Sequence, residues 1–438
     1  MSNKEQHVLN QGQQAAADGF FQFLFGADRE IIISGPGGVG KTFLMGYLID
    51  KVMPEYFSTC QLMGIAPEYD AVVMTATTNK AAEVLGLATG RPTETIHSFL
   101  NLKVQDDYNT GQSKLTKTTN WTVHQRKIIF IDEAYMIDGP LLQLIREGTH
   151  GCKIVFVGDH CQLAPVAEQI SPIHREGLPF FELTEPMRNA EQPALMALCQ
   201  QLRNTVETGS FQPIQVVPGV IDWLDDDQME AAVAQIFQQQ TREARILAYT
   251  NKRVVEYNDH IRHQRHLPQE YQLGELLVNN QAIRLSKQML SVEEEVEIVG
   301  LSNTEEAEVI DEHEGKNILL VTKKATLKTR LGVMFYNVSL PMDREHYTGL
   351  LNYYRRAKLW TRYFNLKNNY PDLRPRDAAT VHKAQGSTHE MVFIDVGNLS
   401  TCHQPDVVAR LLYVAVTRAK KRVVFYGDLA KKYGGLIV

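Results

Sequence analysis

The stretch IIISGPGGVGKT, residues 31–42, joins a β-branched apolar run to a glycine-rich loop. Its glycines, lysine and threonine fit the pattern G-x-x-x-x-G-K-[ST]. In this pattern the glycines let backbone N–H groups curl around phosphates, the lysine neutralises the β/γ oxygens, and the hydroxyl ligates Mg²⁺. A helix beginning near the lysine would direct its positive end at the same phosphates. The stretch therefore predicts a nucleotide site formed by Gly35, Pro36, Gly37, Gly38, Val39, Gly40, Lys41 and Thr42.

Short β-branched runs recur along the chain and predict the fold class. Runs at 71–76, 127–133 and 153–159 read as central strands of a parallel sheet, and a second set follows at 245–250, 391–396 and 421–427. We therefore predict an α/β protein with two α/β lobes that meet near residues 186–195. Within 275–375 the chain instead alternates apolar and polar residues, which is typical of an antiparallel sheet or barrel.

The predicted boundaries follow from these changes of pattern. Lobe one takes residues 1–100 and 125–187, interrupted by a hairpin insertion at 101–124. Lobe two takes residues 188–274 and 376–438, and the β-rich insertion at 275–375 includes a basic, aromatic segment. The aromatic residues of 353–370 fit two interpretations, stacking on bases or packing into a core.

Composition narrows the class of protein. The 438 residues carry a net charge of −6, so the chain as a whole is not a histone-like nucleic-acid binder, although residues 353–367 are basic without any acid. The five cysteines are scattered, which favours free thiols in a reducing compartment over a zinc site. The N-terminus lacks a signal-peptide core and no apolar run is long enough to span a bilayer. We expect a cytoplasmic protein, in the host cytoplasm if it is phage-encoded, without a membrane partner.

An acidic pair, Asp132-Glu133, ends the third strand run of lobe one. Carboxylates at the C-terminal end of such a strand face the ligand crevice of an open sheet. Asp132 and Thr42 are the predicted Mg²⁺ residues, and Glu133 is the predicted base that orients or deprotonates the attacking water. Guanine recognition usually needs N-K-x-D, and the N-K pairs at Asn79 and Asn251 lack the aspartate. Adenine is therefore favoured.

Three further motifs carry a family resemblance: GDHCQLAPV at 158–166, ATVHKAQGST at 379–388 and LYVAVTRA at 412–419. In this order they resemble motifs III, V and VI of superfamily 1 DNA helicases, and the chain resembles the RecD-like and Dda-like branch, which includes small phage helicases. The resemblance covers nearly the whole chain, while the insertions match in placement only. It implies two RecA-like lobes with ATP between them and single-stranded DNA across their top.

The resemblance assigns roles to five more nucleotide-site residues. It implies that Gln13 reads adenine, a role that the residue alone does not distinguish from a surface glutamine. Gln162 matches the residue that senses the γ-phosphate, and Gly386 matches a glycine beside it. Arg188 and Arg418 match arginines that contact the transferred phosphoryl group, where charge spreads over the equatorial oxygens. The expected cofactors are ATP and Mg²⁺.

Motif resemblance also implies a DNA-binding set. Hydroxyls, backbone N–H groups and lysines hold phosphates without reading sequence. For His97 a position in the core is an alternative. Tyr108, which directly precedes the turn at Asn109, is a candidate wedge that would stack on the terminal base pair of the duplex. The predicted DNA-binding residues are Thr77, Thr78, Lys80, His97, Tyr108, Asn251, His382 and Lys383.

The expected activity is ATP-dependent movement on single-stranded DNA, 5′→3′ as in most of this branch, with unwinding of duplex. Two alternatives stay open: a translocase that displaces proteins and separates strands weakly, and an RNA-directed superfamily 1 helicase. Single-stranded and forked DNA are the expected partners of a monomer, with a single-strand-binding or other replication protein as a further candidate. Motif II reads D-E-A-Y, whereas relatives often carry a small residue in the last position.

Overall fold

A computed structural model describes residues 9–164, 171–185, 192–285, 288–313 and 316–437 of the chain. Contacts divide the chain into two units. The first comprises Met1–Val104 and Leu115–Glu191, and the second comprises Gln105–Lys114 and Gln192–Val438. Within the described ranges no helix is long and apolar enough to cross a membrane.

The first unit is built on a parallel sheet with helices on both faces. Its strands are β1 (Glu30–Ser34), β2 (Ala71–Ala76), β3 (Thr93–Thr95), β4 (Leu102–Asp106), β5 (Ser113–Lys117), β6 (Lys127–Asp132), β7 (Lys153–Gly158) and β8 (Phe180–Glu182). Its helices are α1 (Gln11–Phe25), α2 (Lys41–Tyr47), α3 (Met53–Leu62), α4 (Asn79–Thr89), α5 (Ile96–Phe99) and α6 (Gly139–Gly148). Six strands pair in the order β3-β2-β6-β7-β1-β8, and all the pairs are parallel. β4 and β5 form a separate two-stranded sheet whose connecting turn belongs to the second unit.

The central strands are apolar because both of their faces are covered. Every residue of β1 and β7 is buried. One core cluster packs α1, α2 and α3 against one face of the sheet, and a second packs α5 and α6 against the other. A π-helical turn, Leu48–Val52, joins α2 to α3, and Tyr56 and Cys60 of α3 are buried beyond it.

The second unit contains another parallel sheet. Its strands are β9 (Ile214–Gln215), β10 (Ile221–Leu224), β11 (Ala244–Ala248), β12 (Leu276–Asn279), β13 (Ile283–Leu285), β14 (Gln288–Leu290), β15 (Glu295–His313), β16 (Lys316–Thr329), β17 (Met334–Pro341), β18 (Leu373–Pro375), β19 (Ala378–Thr380), β20 (His389–Asp395), β21 (Ala419–Tyr426) and β22 (Leu436–Ile437). Its helices are α7 (Pro193–Thr208), α8 (Asp226–Ile236), α9 (Asn251–Gln264), α10 (Arg344–Arg356), α11 (Trp360–Asn369), α12 (Val396–Leu399) and α13 (Pro405–Thr417). The parallel sheet has the order β10-β21-β20-β11-β19. The predicted fold class, with two parallel-sheet lobes, is confirmed.

The chain between β11 and β19 adds an antiparallel sheet with the order β17-β16-β15-β12-β18. Its core is mostly aliphatic, with Tyr271 and Phe335 as the aromatic members, and lies between Tyr271 and Leu373 in sequence. The basic, aromatic segment forms α10 and α11. Its Tyr354 and Phe364 are buried, so these rings pack into the core, whereas Tyr353 is about half exposed at 47%. The core interpretation therefore holds for the first two rings.

Candidate nucleotide site and nucleic-acid interface

The phosphate loop of the first unit connects β1 to α2. Gly38 and Gly40 take left-handed φ angles of 86° and 82°, which glycine adopts without steric cost. A Cβ on Gly35 would lie 2.5 Å from the carbonyl oxygen of Leu183, so that position also requires glycine. A Cβ on Gly37 would meet no atom within 4 Å. The loop thus presents open backbone on one side while it packs tightly at its start.

Lys41, the first residue of α2, lies over this loop. Its Nζ donates to the carbonyl oxygens of Gly35 and Pro36, at 2.7 and 2.9 Å. These bonds hold the ammonium beside the loop in which phosphates are predicted to bind. Thr42 follows on the same first turn and is partly buried.

The acidic pair lies at the end of β6, as predicted. The Asp132 carboxylate accepts the N–H of Glu133 at 2.9 Å, and Glu133 has a left-handed φ of 54°. Burial raises the pKa of Asp132 to about 7, with Glu133 adding to the effect and Lys41 opposing it. Carboxylate and hydroxyl oxygens are ligands that Mg²⁺ takes, and two crowded carboxylates beside one lysine leave negative charge to neutralise. Asp132 and Thr42 therefore fit a Mg²⁺ site.

Residues after β7 link motif III to the phosphate loop. The N–H of Gly35 donates to the carbonyl of Gly158 at 3.0 Å, and the Ser34 hydroxyl lies 2.8 Å from Nδ1 of His160. Gln162 is 7% exposed, and its N–H donates to the carbonyl of Asp159 at 3.0 Å. The Ser34–His160 contact could not be inferred from the sequence, because 126 residues separate the two side chains.

Gln13 lies near the N-terminus of α1 and is fully buried. Its Nε2 donates to the carbonyl of Val39 at 3.1 Å, and its Oε1 accepts the N–H of Asn10 at 3.2 Å. The side-chain oxygen of Asn10 in turn accepts the N–H of Gln13, which completes a capping box. Gln13 thus ties the start of α1 to the phosphate loop, and adenine reading stays a prediction.

The predicted nucleotide residues of the second unit cluster around the end of α13. Arg418 is 7% exposed, and its guanidinium donates to the carbonyls of Val414 and Ser387 at 3.1 and 3.3 Å and to the Thr417 hydroxyl at 3.0 Å. Gly386 has a φ of 72°, and a Cβ there would meet no atom within 4 Å. The loop of Gly386 and the arginine are therefore joined through Ser387. Arg188 lies outside the described residues.

Three predicted DNA-binding residues of the first unit surround the start of α4. The Thr78 hydroxyl accepts the N–H of Ala81 at 3.2 Å and caps the helix, while Lys80 is in the first turn. Thr77 is 7% exposed, and its hydroxyl donates to the carbonyl of Glu133 at 3.0 Å. His97 is partly buried, and burial lowers its pKa although Asp138 opposes the effect. Burial therefore favours the neutral imidazole.

The second-unit set surrounds the start of α9. Asn251 is exposed there, and Oδ1 of Asn398 accepts the N–H groups of Tyr249 and Thr250 at 2.8 and 2.9 Å, which shapes the preceding loop. Burial lowers the pKa of His382. Lys383 forms a 3.7 Å ion pair with Glu293. Asn398 is a site-shaping residue that no sequence motif indicated.

Tyr108 lies in the turn between β4 and β5. The Asp107 carboxylate accepts the N–H groups of Asn109 and Thr110, at 2.9 and 3.2 Å, so an Asp-centred turn precedes the predicted Asn-Thr-Gly sequence. The Tyr108 ring meets Phe364 of α11 edge-on, with centroids 5.3 Å apart, and it stays 46% exposed. A second contact also fixes the turn, because Nδ2 of Asn368 donates a hydrogen bond to the Asp106 carboxylate at 2.9 Å.

Comparisons with known proteins agree with this geometry. A model for an AAA domain matches residues 8–215, and a model for a UvrD-like helicase C-terminal domain matches residues 377–426. The ATP-dependent DNA helicase dda of Enterobacteria phage T4 is 24% identical over 95% of this chain and 99% of its own length.

Two solved structures share the fold. One, of Pif1 helicases that unwind forked double-stranded DNA as a coordinating pair, has a TM-score of 0.54 at 15% identity and covers 99% of this chain and 95% of its own. The other, Pif1 helicase from Bacteroides with ADP-AlF3 and single-stranded DNA, has a TM-score of 0.51 at 13% identity, with the same coverage. Motif order, domain matches and fold together define a P-loop helicase with two RecA-like lobes. By these matches the chain is an ATP-dependent DNA helicase that resembles the Dda-like branch of superfamily 1.

Proposed function

We propose that this helicase hydrolyses ATP to move 5′→3′ along single-stranded DNA and to separate duplex DNA ahead of it. The observation that carries the proposal is the direct contact between the predicted DNA segment and the predicted base, in which Thr77 donates to the Glu133 carbonyl. Such a contact would link the position of a bound strand to the proposed base, as a translocation cycle requires. The relative dda, named as an ATP-dependent DNA helicase and matched over nearly its full length, supports the activity.

In the proposed reaction the phosphate loop and Lys41 hold the β- and γ-phosphates, and Glu133 accepts a proton from the attacking water. When bound through Thr42 and Asp132, Mg²⁺ would neutralise the phosphate oxygens. Arg418 and Arg188 would contact the γ-phosphoryl oxygens, on which charge develops. The phosphate loop and Arg418 belong to different units, and the proposed cycle requires both.

Proposed DNA contacts come from both units. Thr78, Lys80 and His97 lie in the first unit, and Asn251, His382 and Lys383 lie in the second. Neutral imidazoles and hydroxyls donate hydrogen bonds to phosphates, while lysines add charge, so binding of this kind is tolerant of sequence.

Unwinding of matched duplexes with either a 5′ or a 3′ single-stranded tail tests the proposal. With ATP, the wild-type protein should release strand from the 5′-tailed substrate, and Lys41→Ala should release none. Preference for the 3′ tail would overturn the polarity. Tail-dependent ATP hydrolysis without strand release would favour the protein-displacing translocase, and stronger ATPase stimulation by RNA than by DNA of equal sequence would favour the RNA-directed alternative.

A further inference from the structure

Thr77 follows β2 and precedes the proposed DNA contacts at Thr78 and Lys80. It nevertheless faces inward: the residue is 7% exposed. Its N–H donates to the carbonyl of Asp132 at 3.1 Å, and its hydroxyl donates to the carbonyl of Glu133 at 3.0 Å. One threonine therefore binds the backbone of both acidic residues of the nucleotide site.

Sheet register explains this meeting. β2 and β6 pair in parallel with Ala76 opposite Asp132, so the next residues of the two strands emerge side by side. At that point Glu133 turns into a left-handed conformation, which is uncommon for a residue with a Cβ and persists only where surrounding bonds hold it. Asp132 holds its N–H, and its carbonyl accepts the Thr77 hydroxyl and the N–H of Met136. Of these bonds to Glu133, the bond from the Thr77 hydroxyl comes from the segment that leads to α4.

The hydroxyl cannot serve a DNA phosphate at the same time. A threonine hydroxyl has a single O–H donor, and a phosphodiester oxygen accepts hydrogen bonds only. While that donor binds the Glu133 carbonyl, the hydroxyl offers a phosphate nothing but lone pairs. In the proposed function the neighbouring Thr78 and Lys80, at the start of α4, contact the phosphates instead.

We propose that Thr77 is a positioning residue that makes ATP hydrolysis depend on DNA, by fixing the backbone of Glu133 according to the position of the Thr78–Lys80 segment. This inference rests on the proposed function. When a strand engages the start of α4, the segment shifts and the two bonds of Thr77 carry that shift to the acidic pair. The side chain of Glu133 then meets the attacking water in the productive orientation.

Thr77→Val tests this role because valine keeps the shape and removes the hydroxyl, and Thr77→Ser restores it. Thr75→Val is a matched control: Thr75 is also buried, and its hydroxyl donates to the carbonyl of Phe130 at 2.8 Å instead of to the acidic pair. Steady-state ATPase of the full-length proteins is measured without DNA and over a series of oligo-dT concentrations, with thermal melting in parallel.

For Thr77→Val we expect turnover at saturating oligo-dT to fall roughly fivefold to tenfold, the change in rate that one lost hydrogen bond typically causes. The DNA concentration for half-maximal stimulation should stay within about twofold of wild type, because the hydroxyl is bonded to Glu133 and not to the strand. The DNA-free rate should fall less than the stimulated rate, because without DNA the Glu133 side chain is not in the productive orientation even though the bond is present. Thr77→Ser should recover most of the turnover. Thr75→Val should keep the stimulated rate despite a similar loss of melting temperature.

A raised half-saturating DNA concentration at unchanged maximal turnover would make Thr77 a DNA contact and overturn the inference. Equal losses in Thr77→Val and Thr75→Val would reduce the role to stability and also overturn it. Wild-type protein without any DNA stimulation would instead refute the proposed function itself, so the two failures are distinguishable.

Discussion

The buried amide of Gln13 donates to the carbonyl of Val39 across 3.1 Å, so the residue predicted to read the base is bonded to the loop predicted to hold the phosphates. A substitution of Gln13 should therefore weaken the binding of both the base and the phosphates. We predict that Gln13→Ala raises the KM for ATP roughly tenfold, since it removes a buried hydrogen bond and half of the α1 capping box. ATPase assays over a series of ATP concentrations check this. Gln14→Ala, at an exposed position on the same helix, is the control, and equal KM values in both variants would contradict the prediction.

Glu133→Gln should bind ATP and fail to turn it over. The amide preserves the size of the side chain while the proton acceptor is lost. We expect turnover to fall by about 10²-fold or more, the usual range for general base catalysis, with the affinity for a fluorescent ATP analogue unchanged within about threefold. Normal turnover by the folded variant would show that Glu133 is not the base.

Arg418→Ala should reduce turnover at saturating DNA by about 10³-fold, the usual contribution of an arginine in phosphoryl transfer. Arg418→Lys should remain strongly impaired, since an ammonium cannot reproduce the planar fork of a guanidinium. Because Arg418 is buried against backbone carbonyls, melting curves must accompany the kinetics. A stable Arg418→Lys protein with near-normal turnover would remove Arg418 from the reaction.

Tyr108→Ala should slow the unwinding of a forked duplex several-fold and leave ATPase stimulated by single-stranded DNA nearly unchanged. The ring packs against Phe364 and stays 46% exposed, and we predict that its exposed part stacks on a terminal base pair. Parallel unwinding and ATPase assays measure the two rates. Tyr336→Ala, at a 66% exposed tyrosine of β17, is the control. Equal losses of both rates in the Tyr108 variant would exclude a wedge.

His389 should make the second unit sensitive to acid. Burial, with Arg245 and Arg376 adding to it, lowers the pKa of His389 to about 4, against about 6.5 in an unfolded chain. Between these values the unfolded state binds more protons, so the stability that the neutral ring contributes is lost as pH falls from about 6.5 towards 4. His389→Gln should flatten the dependence of unfolding free energy on pH in this window by up to about one proton. An unchanged slope would contradict the lowered pKa.

Local patterns predicted the parts of the site that lie next to each other in sequence. The glycine loop, Lys41 and the acidic pair follow strands directly, and the C-terminal ends of parallel strands meet at one edge of a sheet. The contacts that orient these residues join distant segments. Thr77 faces Glu133 because of the register between β2 and β6, and Tyr108 meets Phe364 across more than 250 residues. The sequence of α10 and α11 fitted both stacking on bases and packing into a core. The burial of Tyr354 and Phe364 shows that these two rings pack into the core.

The π-helical turn at Leu48–Val52 has a consequence for sequence comparison and for design. Such a turn holds one residue more than the α-helical turn that it replaces, and each residue of an α-helix advances the helix by about 100°. Deleting one residue within 48–52 would let regular winding resume and would rotate α3 by about that angle, swinging Tyr56 and Cys60 out of the core. A homologue that lacks the extra residue must carry its large apolar side chains one position earlier on this helix. An alignment across this point therefore needs a single-residue gap that conventional scoring would penalise.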